Sequence, residues 1–140
     1  RDLHSFPTRR SSDLIREAID QLRAKQLPES IIVDCSHANS SKKFQNQARV
    51  WKDCVNQRMD GNDAIVGLML ESNLREGNQK LTSDPSKLDY GVSVTDACIS
   101  WETTEALIRS AHERLLRSLS GRAAHEGPSG SGRYRVAAIA

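Results

Sequence analysis

The sequence predicts an α/β fold in which βα units build a parallel sheet. Three observations predict it. Three short runs rich in β-branched and apolar residues, Ile31–Asp34, Ala64–Leu70 and Val92–Thr95, have strand character. Segments with a helical apolar period, 15–25, 41–59 and 103–119, flank and separate them. Each apolar run then yields to a polar turn carrying a ligand-type residue: His37, Glu71 and Asp96. The order α, β, α, β, long loop, β, α is that of parallel strands joined by helical crossovers. Three strands cannot close a barrel, and a complete βα barrel takes about 250 residues. The organised part, Ile15 to Leu119, is therefore expected to be a piece of a larger domain with open strand edges and a bare apolar face.

Residues 1–14, RDLHSFPTRRSSDL, hold no sustained period and are broken by Pro7. They resemble translated adapter sequence and are expected to be a non-native or disordered extension. The first helix is predicted over Ile15–Lys25, where Ile15, Ala18, Ile19 and Leu22 form one apolar stripe. Pro28 enforces the exit.

The first strand leads into DCSHANSSK. Small polar residues here suit a turn entering a helix, so His37 is expected just past a strand's C-terminal end. In open α/β sheets and βα barrels that rim is where ligands bind. A lone His there is as readily a hydrogen-bonded structural residue. The recurrence at Glu71 and Asp96 strengthens the functional reading, because one imidazole and two carboxylates are a plausible set for a divalent metal.

A second helix is predicted over Ser41–Met59, with Phe44, Ala48, Trp51, Cys54, Val55 and Met59 at steps of three and four. Trp51 and Cys54 read as core residues. Lys42 and Lys43 are either solvated or within reach of an anion held at the strand ends. The run Ala64–Leu70 is almost unbroken and reads as a strand buried on both faces, with Gly67 allowing a close approach by a neighbouring segment. Glu71–Gly91 is a long loop of the kind that often serves function. Arg75, Asn78, Gln79 and Lys80 either contact a ligand or order that loop. The last helix is predicted over Thr103–Leu119, with Leu107, Ile108, Ala111, Leu115 and Leu119 as its stripe. Residues 120–140 lose the period and are expected to be disordered or foreign.

Composition narrows the function classes. Among 140 residues, 20 Lys and Arg oppose 18 Asp and Glu, giving a net charge of +2. That balance, with no basic face in the middle of the chain, argues against nucleic acid as a partner. Three cysteines without CxxC spacing argue against a disulfide framework or a zinc knuckle, and a reduced, cytoplasmic setting is expected. No apolar run nears the roughly 20 residues that cross a bilayer, and the N-terminus shows no secretory h-region, so no membrane partner is expected.

Three motifs, DCSHANSSK at 34–42, ESNLREGNQ at 71–79 and YGVSVTDACISWE at 90–102, carry a resemblance. In this order and spacing they resemble the last three βα units of the type I 3-deoxy-D-arabino-heptulosonate 7-phosphate (DAHP) synthases. The resemblance runs over most of 29–119 and leaves out 1–14 and 120–140. It implies an α/β fold that is the C-terminal part of a (β/α)8 TIM barrel. It implies condensation of phosphoenolpyruvate with erythrose 4-phosphate, the first step of the shikimate pathway, in an enzyme expected to be a homo-oligomer. The family's divalent metal (Mn, Fe, Co or Zn) is held by a Cys, a His, a Glu and an Asp. The last three correspond to His37, Glu71 and Asp96, and His37 is also the candidate catalytic residue. The Cys ligand belongs to a first strand absent from this sequence, and neither Cys35 nor Cys98 replaces it by motif. The alternative reading is an inactive, truncated fragment of that enzyme.

Overall fold

The structure is a computed structural model that describes residues 11–125. Five regular elements follow in order: α1 (Ser11–Ala24), β1 (Ile31–Asp34), α2 (Gln47–Met59), β2 (Ile65–Met69) and α3 (Trp101–His125). Single 3₁₀ turns sit at Phe44–Asn46 and Pro85–Lys87. The α/β class and the element order agree with the sequence reading, apart from the third strand and the element boundaries described below.

α1 begins at Ser11, inside the stretch set aside as an extension; residues 1–10 lie outside the described residues. Its inward stripe is the expected one, with Ile15 buried and Ala18, Ile19 and Leu22 half-buried. Gln26, at φ 55°, closes the helix in the left-handed conformation. The Leu27 amide then donates back to the Leu22 carbonyl at 3.0 Å, satisfying an end carbonyl as a C-terminal glycine usually does.

β1 and β2 pair in parallel, Ile32 opposite Gly67 and Asp34 opposite Met69, with an irregularity between Ile31 and Ile32. A Cβ at residue 67 would lie 3.2 Å from Ile32 Cγ1, so the glycine does admit a close neighbour. The core forms on one side of this pair. Ile15 from α1, Val33 and Ile65 from the sheet, Cys35 just past β1, and Val50 and Cys54 from α2 make one buried cluster, with Trp51 packed against it. The other side is open: Ile32 is 70% exposed and Val66 60%. The expectation that β2 is buried on both faces therefore fails, because the helices pack against one face only.

The predicted third strand, Val92–Thr95, does not form. Among the described residues the sheet has two strands. Ser93 is buried, and its hydroxyl accepts from the Thr95 amide at 3.2 Å. Such local side-chain bonding competes with a ladder. Pairing here is confined to isolated bridges: Ser93 with Asn78 and Ile99 with Ser72 in parallel, and Cys98 with Gly77 in antiparallel fashion. Asp96 thus lies in a bend between the single bridges at Ser93 and Cys98 rather than after a strand.

α3 is entered through Ser100, whose hydroxyl accepts from the Thr103 amide at 3.2 Å. Its buried face is Thr104, Leu107 and Ala111, whereas Ile108, expected in the stripe, is exposed. The helix continues to His125, past the predicted end at Leu119; residues 126–140 lie outside the described residues. Among the described residues no helix is long and apolar enough to cross a membrane.

The long loop is ordered by its own polar side chains. Gln79 donates to the carbonyls of Asp89 and Val92 at 2.8 and 3.0 Å and accepts from the Asp89 amide at 2.9 Å. Asn78 donates to the Thr95 carbonyl at 2.9 Å. Both order the loop, one of the two roles left open by the sequence. Gly91 closes it at φ 81°, and a Cβ there would stand 2.8 Å from Leu74 Cβ. Gly91→Ala is expected to destabilise the chain by about 1–3 kcal/mol through left-handed strain and this clash, read as a lower urea midpoint.

Candidate metal centre

The site begins where β1 ends. After Asp34 the backbone turns sharply, and His37 takes φ 47°, unusual for a residue with a Cβ. Polar side chains hold the turn. Asn39 donates to the Asp34 carbonyl at 2.7 Å, Ser40 to the His37 carbonyl at 3.1 Å, and Asn46 to the Ser40 carbonyl at 2.9 Å. Ser36 and Ser40 are almost fully buried, so DCSHANSSK is a built loop rather than a loose one.

This turn aims the imidazole. Asp34 Oδ2 lies 2.7 Å from His37 Nδ1. An ionised carboxylate only accepts, so Nδ1 carries the proton and the Nε2 lone pair faces outward. Ser36 donates to the other Asp34 oxygen at 2.5 Å through its hydroxyl and at 2.7 Å through its amide. Burial, the largest single influence, pushes the Asp34 carboxyl up, but the Ser36 bonds and then His37 outweigh it and hold it below the usual carboxylate range. The hydrogen bond to Asp34, and next the charge of Glu71, raise His37 above the ordinary imidazole value. A carboxylate behind a histidine in this way fixes the ring and makes it a better metal ligand.

Glu71 follows β2 and Asp96 comes from the bend before α3. His37 Nε2 lies 3.4 Å from Glu71 Oε1 and 4.0 Å from Asp96 Oδ2. One ligand atom from each of the three residues falls within 4.8 Å of the others. Ligand bonds near 2 Å place tetrahedral neighbours about 3.3 Å apart, so these donors could close on one cation with small side-chain movements. The structure thus brings together all three sequence-predicted ligands. Among the described residues this is the one such group of His, Cys, Asp and Glu.

The cysteines stand apart from it. All three are free and buried. The Cys98 thiol donates to the Asp96 carbonyl at 3.5 Å, and burial, first among the influences, raises its pKa. Cys35 and Cys54 belong to the core beneath the sheet.

A cleft of about 300 Å³ opens beside the three donors, lined among others by Ser40, Lys42, Phe44 and Gln47. Of the two candidate lysines, only Lys42 lines it. Arg75, Asn78, Gln79 and Lys80 do not. Two residues here escaped the sequence reading. Asp34 was visible three positions before His37, a spacing that a sharp turn brings into contact. Gln47 is fully buried on the inner face of α2 with Val50 and Cys54, a polar residue on an apolar face. The predicted stripe ran through Phe44 and Ala48 and passed it by.

Comparison with known proteins gives this geometry a context. The Tyr-sensitive phospho-2-dehydro-3-deoxyheptonate aldolase of Escherichia coli K12 is 53% identical over 95 residues, which are 68% of this chain and 27% of that protein. The Tyr-sensitive protein of the same name from Enterobacter agglomerans is 47% identical over 107 residues, 76% of this chain and 50% of the relative. Among solved structures, a phospho-2-dehydro-3-deoxyheptonate aldolase from Francisella tularensis superposes with a TM-score of 0.66 at 36% identity, covering 74% of this chain and 29% of that one. The chain therefore spans between about a quarter and a half of the length of these relatives. The sequence model of the DAHP synthetase I family matches residues 3–109, a span that holds all three converging donors. On that match, the chain belongs to the DAHP synthetase I family.

Proposed function

We propose that this chain supplies the metal-binding rim of a DAHP synthase. The reaction joins phosphoenolpyruvate to D-erythrose 4-phosphate, giving 3-deoxy-D-arabino-heptulosonate 7-phosphate and phosphate. The observation that carries the reading is the convergence of His37, Glu71 and Asp96 within 4.8 Å, in a chain of this family. On this reading residues 15–119 are about the last three βα units of a (β/α)8 barrel. The bare sheet face bearing Ile32 and Val66 then looks into the barrel interior.

His37 Nε2, Glu71 and Asp96 would hold a divalent cation, with a fourth ligand coming from outside this chain. The chemistry supplied by such an ion is Lewis-acid stabilisation of negative charge developing on the aldehyde oxygen as the carbon–carbon bond forms. The chain's own residues prepare the site. Asp34 holds the Nδ1 proton, so the imidazole presents Nε2. Glu71 and Asp96 bring two negative charges that offset a dication. An imidazole with two carboxylates suits Mn, Fe, Co or Zn. His37 lines the cleft beside the cation position, and it is the catalytic residue of this reading.

A segment exchange tests the proposal and its alternative, an inactive fragment. Residues 15–119 replace the matched stretch of the E. coli Tyr-sensitive relative. The chimera is expected to consume phosphoenolpyruvate only with erythrose 4-phosphate and a divalent metal present, and to lose turnover with Glu71→Ala. The 140-residue chain alone is expected to show none. A folded chimera that neither binds metal nor turns over would refute the assignment.

A further inference from the structure

Gln47 is the bulkiest fully buried side chain among the described residues. Burying an amide is unfavourable unless both of its ends find partners. Here both ends go to one residue. Oε1 accepts from the Glu71 amide at 2.8 Å, and Nε2 donates to the Glu71 carbonyl at 3.2 Å. The same carbonyl accepts from the Ile99 amide at 3.0 Å. The Gln47 amide is not capping its own helix, since the Asn46–Gln47 entry to α2 has no side-chain cap.

The reason for this bond pair lies in the sheet. β1 accompanies β2 as far as the bond from the Cys35 amide to the Met69 carbonyl, 2.9 Å, and then leaves in the His37 turn. Glu71, just beyond, has no strand on that side. The Gln47 side chain takes the vacated place, an amide standing in for a peptide group. It thereby pins the main chain of Glu71, whose carboxylate must reach His37 Nε2, 3.4 Å away.

We propose that Gln47 is a positioning residue that fixes Glu71 for cation binding without touching the cation. The inference deepens the metal-centre reading and rests on it. The test uses the full 140-residue chain and two readouts, amide hydrogen exchange at Glu71 and Mn²⁺ affinity by electron paramagnetic resonance. Gln47→Met keeps the length and apolar packing but removes both bonds. It is expected to speed exchange at Glu71 at least about tenfold while Val50 and Cys54 stay protected, and to weaken Mn²⁺ binding by about 10- to 100-fold. Added to Glu71→Gln it is expected to cost no further affinity, because both changes act through one carboxylate. A purely structural role would instead lower affinity equally in both backgrounds. Gln47→Glu keeps the acceptor alone, so Glu71 should stay protected and affinity should fall less. That variant carries the test if Gln47→Met does not fold. An unprotected Glu71 amide in the wild type, or wild-type Mn²⁺ affinity in Gln47→Met, overturns the inference. Mn²⁺ uptake that ignores His37→Ala overturns the metal-centre reading as well, and Glu71 protection still reports the main-chain lock separately.

Discussion

Replacing His37 by alanine is expected to weaken Mn²⁺ binding by about 100-fold or more, beyond the roughly 10- to 100-fold typical of losing an outer-shell partner. The side chain contributes one of three donors that lie within 4.8 Å of one another. Its removal leaves Glu71 and Asp96 as a pair of carboxylates with no fixed third ligand. Lys43→Ala, an exposed residue outside the cleft, should leave affinity unchanged. Equal Mn²⁺ affinity in His37→Ala and wild type would remove the site assignment. The same imidazole sets the pH dependence. Only neutral His ligates, and Asp34 and Glu71 raise His37 above its ordinary pKa, so the proton competes with metal to a higher pH than at an ordinary imidazole. Below that pKa the apparent affinity should fall about tenfold per pH unit, and above it the dependence should flatten. A Mn²⁺ titration across pH 5–9, on the order of the usual imidazole range, checks the sign.

Ile65→Ala is expected to destabilise the chain by about 2–5 kcal/mol. Ile65 is 5% exposed, sits opposite Ile31 in the parallel pair, and belongs to the cluster that joins α1, α2 and the sheet. Truncation removes buried methyl groups and leaves a cavity that a packed sheet cannot refill. Against a total stability of roughly 5–15 kcal/mol for a small domain, that is a large share of the margin. The adjacent Val66 is 60% exposed on the open face, so Val66→Ala is expected to stay within about 1 kcal/mol. Urea midpoints of the two variants make the comparison. Equal losses would mean that both faces of β2 are covered in solution, by association or by parts of the chain not described.

These contrasts show where reading the residues succeeds. Ile31–Asp34 and the Ala64–Leu70 run became β1 and β2 because β-branched and apolar residues pack well on a pleated, half-buried surface. α1 followed its apolar period because a stripe on a helix demands a partner. α2, predicted from Ser41, begins only at Gln47, because Ser41 and Lys42 turn at positive φ and Phe44–Asn46 form a 3₁₀ turn. Val92–Thr95 looked equally strand-like, yet the Ser93 hydroxyl satisfied a backbone amide locally, and pairing stayed a single bridge from Ser93 to Asn78, with others at Cys98 and Ile99. Nothing in the local pattern weighs a serine's bond to its neighbour against a distant ladder. Helix α3 ran on to His125 because the Ser120–Ala124 stretch, though weakly patterned, extends a helix that is already nucleated.

The candidate ligands divide the same way. His37, Glu71 and Asp96 could be named in advance, since each follows an apolar run and is a residue type that binds cations. Asp34 behind the imidazole was visible only as a neighbour, its role set by a turn angle, and Gln47 behind Glu71 could not be named, because it acts through a contact across 24 positions. The amino-acid order by itself determined the sequence of helices and strands and the chemistry of three donors, through local propensity and side-chain type. Only the tertiary structure decided that those donors meet at one point, and that an amide from α2 replaces the strand missing beside Glu71. Distances between segments are set by packing and long-range hydrogen bonds, which no single stretch of chain encodes.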